Sequence, residues 1–333
     1  MRCYTLDFAL LAAALAAVSG YSGGAIAQAP STSSGQAYPA KPVRILVGFA
    51  PGGGTDIMAR VIAAKIGDSM KQQFIVDNRP GANANLAARL AAEAPGDGYT
   101  LLFMSVAHIM SKPVYKNLGY DIERDLTPIT VVSSVPNVLC ANMALPARTV
   151  KDIIALAKAK PGEMTYATSG VGSPEHFAGE MFKMMTKTDL LAIPYKGGAP
   201  IAIDLLAGHV MTSFSTMPPV IPHIKANRMR AIAVTTEKRA AVLPDVPTVG
   251  ETVPGYVMST WYGAVAPVKV SREIVQRLNH EMVKALALPD VKEKLAALGA
   301  DVVGTTTDET AAIFKTDIAK FTKVANAANI RAD

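Results

Sequence analysis

Residues 49–56 read Phe49-Ala50-Pro51-Gly52-Gly53-Gly54-Thr55-Asp56, and they separate an apolar run, Val43–Phe49, from an amphipathic stretch, Thr55–Met70. In that stretch Ile57, Val61, Ile62 and Ile66 share one helical face. The order is therefore strand, glycine-rich turn, helix start. Glycines let backbone N–H groups face a ligand, and a helix N-terminus adds partial positive charge. Together they make an anion-binding device. No Gly-Lys-Ser/Thr follows and the G-x-G-x-x-G spacing is absent, so neither a P-loop nor a dinucleotide fold is implied.

The same alternation continues along the chain. Further β-rich runs occur at Phe74–Asp77, Leu101–Ser105, Ile129–Ser134, Met164–Thr168, Leu191–Tyr195, Met211–Ser215, Met229–Val234 and Trp261–Val265. Ala-rich helical patterns lie between them, the signature of βαβ units and a mainly parallel α/β architecture. With Val43–Phe49 these make nine candidate strands, which two sheets of four to six strands hold better than one. Helix ends are readable. Thr149-Val150-Lys151-Asp152 resembles a capping box, Ser271–Leu286 and Asp290–Leu298 are helical, and Thr306-x-x-Glu309 opens the last helix. Candidate crossings at Pro136–Leu145 and Pro254–Trp261 predict a discontinuous first lobe, 41–140 with 258–333, and an inserted second lobe, 141–257. Two crossings permit hinge motion.

The N-terminus carries Arg2, an apolar core from Phe8 to Val18, and Ala25-Ile26-Ala27 followed by Gln28-Ala29. This is the order of a secretory signal peptide, expected over 1–29 with cleavage after Ala27 or Ala29, and it implies that the mature chain is exported. The apolar core falls short of the ~20 residues that span a bilayer. Residues 30–40 (PSTSSGQAYPA) read as a flexible Ser/Pro/Gly tether. The 333 residues are 50% hydrophobic and 18% charged with a net charge of +6, a globular composition that excludes a disordered chain or a disulfide scaffold. Arg2 and Asp7 cancel, so the mature chain keeps that charge. The basic residues are scattered, which gives no nucleic-acid footprint.

A second strand–loop–helix site reads Thr168-Ser169-Gly170-Val171-Gly172-Ser173-Pro174-Glu175-His176, where hydroxyls and bare backbone at a helix start again suit carboxylate oxygens. A third polar loop is Pro194-Tyr195-Lys196-Gly197-Gly198-Ala199-Pro200. The competing reading is an exported hydrolase that uses Ser169 or Ser173 with His176. Position 167 is Ala, so the G-x-S-x-G elbow is absent, and no acid orients the histidine in sequence. His280-Glu281-Met282-Val283-Lys284 begins like a zinc motif but ends in Lys, and no cofactor or metal is expected.

Several segments resemble the Bug receptors, the periplasmic solute-binding proteins of the tripartite tricarboxylate transporter class. They are Tyr38-Pro39 through Asp56, Asp77-Asn78-Arg79-Pro80-Gly81-Ala82, Asp97-Gly98-Tyr99-Thr100-Leu101-Leu102, Pro194-Tyr195-Lys196-Gly197, Arg230–Thr235, Leu243–Thr248 and Trp261-Tyr262-Gly263. The resemblance runs in order from about Tyr38 to the C-terminus. It implies a two-lobed, type II Venus-flytrap protein that captures a small carboxylate in its cleft, for delivery to a tripartite-type transporter or for sensing, without catalysis. A monomer is expected, with a membrane permease as its possible partner. Carried over, the ligand contacts are Ala50, Gly52, Gly53, Gly54, Thr55 and Asp56 on one lobe. Ser169, Gly170, Gly172, Ser173 and His176 lie on the other, with Ser105, Ala107 and His108 as further cleft residues. Ser215 stands where the family commonly has Asp, which removes an acidic group from the expected cleft and favours a plain acid over an amino-group ligand. Asn83-Ala84-Asn85 replaces part of a glycine-rich run.

Overall fold

The computed structural model describes residues 38–332. The expected signal peptide and most of the tether lie outside those residues. The elements run β1 (Val43–Val47), α1 (Gly54–Met70), β2 (Phe74–Asn78), α2 (Asn85–Ala92), β3 (Thr100–Ser105), α3 (Ala107–Val114) and β4 (Leu126–Ala141). Then come α4 (Val150–Ala159), β5 (Thr165–Thr168), α5 (Pro174–Thr186), β6 (Leu191–Pro194), α6 (Gly198–Ala207), β7 (Thr212–Thr216), α7 (Met217–Lys225) and β8 (Arg230–Val234). The chain closes with β9 (Ser259–Pro267), α8 (Arg272–Ala287), α9 (Pro289–Ala297), β10 (Asp301–Val302) and α10 (Thr307–Ala327). Every expected apolar run overlaps a strand. The two-residue β10 is too short for any periodic signal.

Two sheets share one long strand. In the first, β2, β1 and β3 are parallel, with Val43 opposite Phe74 and Arg44 opposite Thr100. Strand β9 joins β3 antiparallel and β4 joins β9 antiparallel, from Leu126 opposite Pro267 to Pro136 opposite Ser259. In the second, β6, β5 and β7 are parallel, and residues 137–141 of β4 pair antiparallel with both β7 and β8. Strand β4 therefore leaves one sheet and enters the other at Pro136/Asn137. Proline has no N–H to continue the ladder, so the change of partner falls where the backbone pairing is weakest. Each sheet thus has a parallel core and an antiparallel flank, a mixed arrangement that arises because β4 and β9 return along the sheet instead of crossing over a helix.

Asn137 holds the junction. Its Nδ2 donates to the Phe214 carbonyl (2.8 Å), its Oδ1 accepts from the Thr260 hydroxyl (2.8 Å), and its N–H donates to Thr235 Oγ1 (3.0 Å). It is fully buried. Around it the cores follow strand alternation. Ile45, Val47, Leu101 and Phe103 face α1 and α8, whereas Leu46, Leu102 and Met104 face α2, α3 and α10. Strands covered on both faces need apolar residues throughout, which is why these runs read as continuous rather than alternating. Thr149 and Thr306 form the capping boxes read from sequence. Among the described residues no helix is long and apolar enough to cross a membrane.

Candidate functional site

A cavity of about 20 Å³ lies between the two sheets, lined by Phe49, Gly53, Gly54, Thr55, Ser105, Thr260 and Tyr262 from the first and by Ser169, Pro174, Glu175, Gly198 and Thr216 from the second. Five parallel strands, β1, β3, β5, β6 and β7, point their carboxyl ends toward it, the place where open α/β sheets bind ligands. Helices begin there as a direct consequence. The first residues of α1, α5 and α6 line the cavity, as does Thr216, the residue before α7. At α1, α6 and α7 no side chain caps the N-terminus, whereas α4, α8 and α10, which start elsewhere, are capped by Thr149, Ser271 and Thr306. The first-turn N–H groups of α1 and those of Gly198 and Ala199 in α6 thus remain for a ligand, whereas α7, which begins Met217-Pro218-Pro219, has no N–H on its two prolines to offer. Among the described residues no Lys or Arg lines the cavity. Its partial positive charge is supplied by these helix N-termini and is opposed by the Glu175 side chain.

The glycine-rich loop is built around Asp56. That carboxylate is 3% exposed and accepts from the Gly52 N–H (2.9 Å), the Arg60 guanidinium (3.0 Å) and the Asn78 amide (3.0 Å). Burial alone would raise the Asp56 carboxyl, but the bonds from Arg60, Gly52 and Asn78 hold it below the ordinary value. Gly52 has φ +78°, a conformation that a side chain would strain. At Gly54 a Cβ would lie 2.2 Å from the Tyr262 hydroxyl and 2.9 Å from Thr216 Oγ1, so glycine is required for close approach. Tyr262 is 1% exposed, and its hydroxyl has no hydrogen-bond partner among the described residues. Burial pushes its pKa up, so it stays a donor.

Across the cavity, Ser169 donates to Glu175 Oε2 (2.6 Å), and Ser173 accepts from the His176 N–H (3.2 Å) as the cap of α5. His176 Nδ1 accepts from the Gly172 N–H (3.3 Å), and its Nε2 lies 4.0 Å from Glu180. Neither serine is therefore paired with an imidazole. The two sides also touch directly: the Ala50 N–H donates to the Lys196 carbonyl (3.0 Å), and the Tyr115 hydroxyl donates to the Val171 carbonyl (2.9 Å). A second cavity of about 230 Å³ adjoins the first and shares Phe49 and Ser169 with it.

Of the residues expected at the site, Gly53, Gly54, Thr55, Ser105 and Ser169 line the main cavity, and Gly170 lines the adjoining one. Ala50, Gly52, Asp56, Gly172, Ser173 and His176 stand outside the lining and shape the two loops through the bonds just described. Ala107 packs with Phe49 and Ala84. His108 is fully buried with Nδ1 3.1 Å from the Ser105 carbonyl, and burial lowers it to about 4, so it is neutral. Ser215 donates to Ser213 Oγ (2.9 Å), turned away from the lining. Sequence reasoning missed Phe49, Pro174, Glu175, Gly198, Thr216, Thr260 and Tyr262 as lining residues. Pro218-Pro219 directly after a strand marks the α7 start and so points to Thr216; Phe49, Pro174, Glu175 and Gly198 lie within the three loops singled out in the sequence, and only Thr260 and Tyr262 are assembled by the fold alone.

A fold with two sheets, parallel strands ending at one cleft and helix N-termini as its polar lining defines a ligand-binding class of protein. The family model of the tripartite tricarboxylate transporter family receptor matches residues 58–330, and the chain belongs to that family. Protein BugT of Bordetella pertussis is 36% identical over 294 residues, covering 87% of this chain and 90% of that protein. The structure of R. palustris Rpa4515 with adipate superposes with a TM-score of 0.86 at 37% identity, covering 88% of this chain and 99% of that one. The periplasmic binding protein BugD does so at 0.86 and 30% identity, covering 88% and 99%. The fold is thus the two-lobed α/β fold of periplasmic binding proteins.

Proposed function

We propose that this protein is a periplasmic receptor that captures a small organic carboxylate in the cavity between its sheets and delivers it to a tripartite-type membrane permease. The observation that carries this reading is the meeting of two uncapped helix N-termini, at Gly54 and Gly198, with the Tyr262 hydroxyl in one cavity whose described lining has no Lys or Arg. A carboxylate there accepts from backbone N–H groups and from the Tyr262 hydroxyl. Two or three charge-assisted hydrogen bonds at ~1.5–3 kcal/mol each, with desolvation, reach the ~8 kcal/mol of a micromolar dissociation constant. The related Rpa4515 structure with adipate and the MatC structure with bound malate from Rhodopseudomonas palustris support a carboxylate ligand.

In this reading 41–140 with 258–333 form the first lobe and 141–257 the second, hinged where β4 changes sheets and in the segment before β9. Closure follows because a ligand held by Gly54 on one side and Gly198 on the other gains its second set of contacts only when both sides meet. Residues 1–29 act as a cleaved export signal and 30–40 as a tether whose described end is anchored, the Tyr38 hydroxyl donating to the Gly98 carbonyl (2.6 Å) and the Ala40 N–H to the Tyr99 hydroxyl (2.9 Å). The receptor is a monomer without catalytic activity; neither Ser169, bonded to Glu175, nor Ser173, bonded to the α5 backbone, is paired with His176.

A thermal-shift screen of the mature protein against mono-, di- and tricarboxylates tests the reading. Stabilisation that grows with acid concentration is expected. Absence of any shift, together with Ser169-dependent turnover of ester substrates, would overturn it.

A further inference from the structure

Glu175 is the one acidic side chain that lines the cavity. It is 3% exposed, sits at the second position of α5, and accepts the Ser169 hydroxyl at 2.6 Å. The charged groups around it are all engaged or distant from the lining. On α5, Glu180 pairs with Lys183 (3.0 Å) beside His176; on α1, Asp56 is held by Arg60. On α3, His108 faces the Ser105 carbonyl, and on β9 the titratable neighbour is Tyr262; Tyr166 of β5 and Tyr256, both packed against α5, are bonded to Glu180 and to the Ala178 carbonyl. Lys196 is exposed and lines only the adjoining cavity. An acid expected to be missing from the cleft at Ser215 is thus supplied from another element.

We propose that Glu175 is the specificity-determining residue of this cavity, sharing a proton with the bound acid, so that one proton enters with each carboxylate and ligands carrying an ammonium are not preferred. The proposal rests on the carboxylate-capture reading above. With no cation between them, two ionised carboxylates ~4 Å apart at an effective dielectric of ~20 would weaken binding by about a thousandfold. A single shared proton removes that repulsion and replaces it with a strong O–H···O⁻ bond. The balance is simple. Solvent supplies one proton to a Glu175 carboxylate oxygen, that oxygen donates to the ligand carboxylate, and the proton returns to solvent on release. Ser169 keeps donating to the other Glu175 oxygen throughout. Burial already pushes the Glu175 carboxyl above its ordinary value, against the opposing donors at Ser169, Ser173 and the α5 N-terminus.

The test is calorimetric titration of the full mature protein with adipate and with malate between pH 6.5 and 8.5, in buffers of different ionisation enthalpy, each acid compared with its amino counterpart, 2-aminoadipate or aspartate. The expected result for the tighter acid is uptake approaching one proton per ligand, a dissociation constant rising up to tenfold per pH unit, and at least tenfold weaker binding of the amino counterpart. Glu175→Gln keeps the shape and a donor, and is expected to bind the acid without pH dependence. Binding of the acid with no proton uptake in the unmodified protein overturns the Glu175 proposal alone, as does preference for the amino counterpart that Glu175→Gln abolishes. Failure of both acids to bind at every pH overturns the capture reading with it.

Discussion

Replacing Tyr262 by Phe separates ligand contacts from structural ones. The ring is in the core, but the hydroxyl at its tip lines the cavity and bonds to no described residue. Removing it deletes at most an interaction with the neighbouring Thr216 side chain, and a buried hydroxyl that makes no hydrogen bond of normal geometry costs about 1–3 kcal/mol. Tyr262→Phe is therefore expected to leave the ligand-free protein at least as stable as the parent. A ligand carboxylate, by contrast, loses one charge-assisted bond of ~1.5–3 kcal/mol, which weakens binding about 10- to 150-fold. Thermal unfolding without ligand and calorimetric titration with a bound acid measure the two effects separately. An unchanged dissociation constant would show that the hydroxyl does not reach the ligand. A fall in melting temperature of more than about 2–4 °C, equivalent to ~1 kcal/mol, would show that it has a partner in the protein.

Gly54→Ala places a methyl 2.2 Å from the Tyr262 hydroxyl and is expected to destabilise by ~1–3 kcal/mol while abolishing measurable binding, read by thermal shift and calorimetry. Asp56→Asn leaves the Gly52 and Asn78 donors without a carboxylate and is expected to lose about 1–3 kcal/mol at neutral pH. Because the folded Asp56 carboxyl titrates below its ordinary value, this stabilisation is fully present above about pH 4 and disappears as pH falls through the lower folded value, so the parent and Asp56→Asn melting curves converge in acid. Asn137→Ala strands the Phe214 carbonyl and the Thr260 hydroxyl at the sheet junction, with an expected loss of about 2–4 kcal/mol in denaturant unfolding.

Much of this fold is legible because its signals are local. Apolar runs bounded by glycine or proline mark the strands, and Thr149, Thr306 and the Gly52-Gly53-Gly54 turn mark helix starts. The site is legible only in part, because residue type does not fix side-chain direction. Asp56, Ser173 and His176 are polar residues in the right loops, yet their polar atoms turn back to hold backbone N–H groups. Tyr262 reads as core because its ring is core; only the approach of Gly54 from a segment some 200 residues earlier makes its hydroxyl a cavity group. Glu175 reads as an ordinary first-turn acid that complements the helix dipole. Its significance comes from Ser169 and from the cavity closing over it.

The most direct measurement is a crystal structure of the mature protein with a bound carboxylate. The account predicts carboxylate oxygens within 2.7–3.2 Å of first-turn N–H groups at Gly54 or Thr55, with the Tyr262 hydroxyl donating to the same group. A carboxylate held instead by surface lysines or arginines, with the cavity between the sheets excluded, would contradict it.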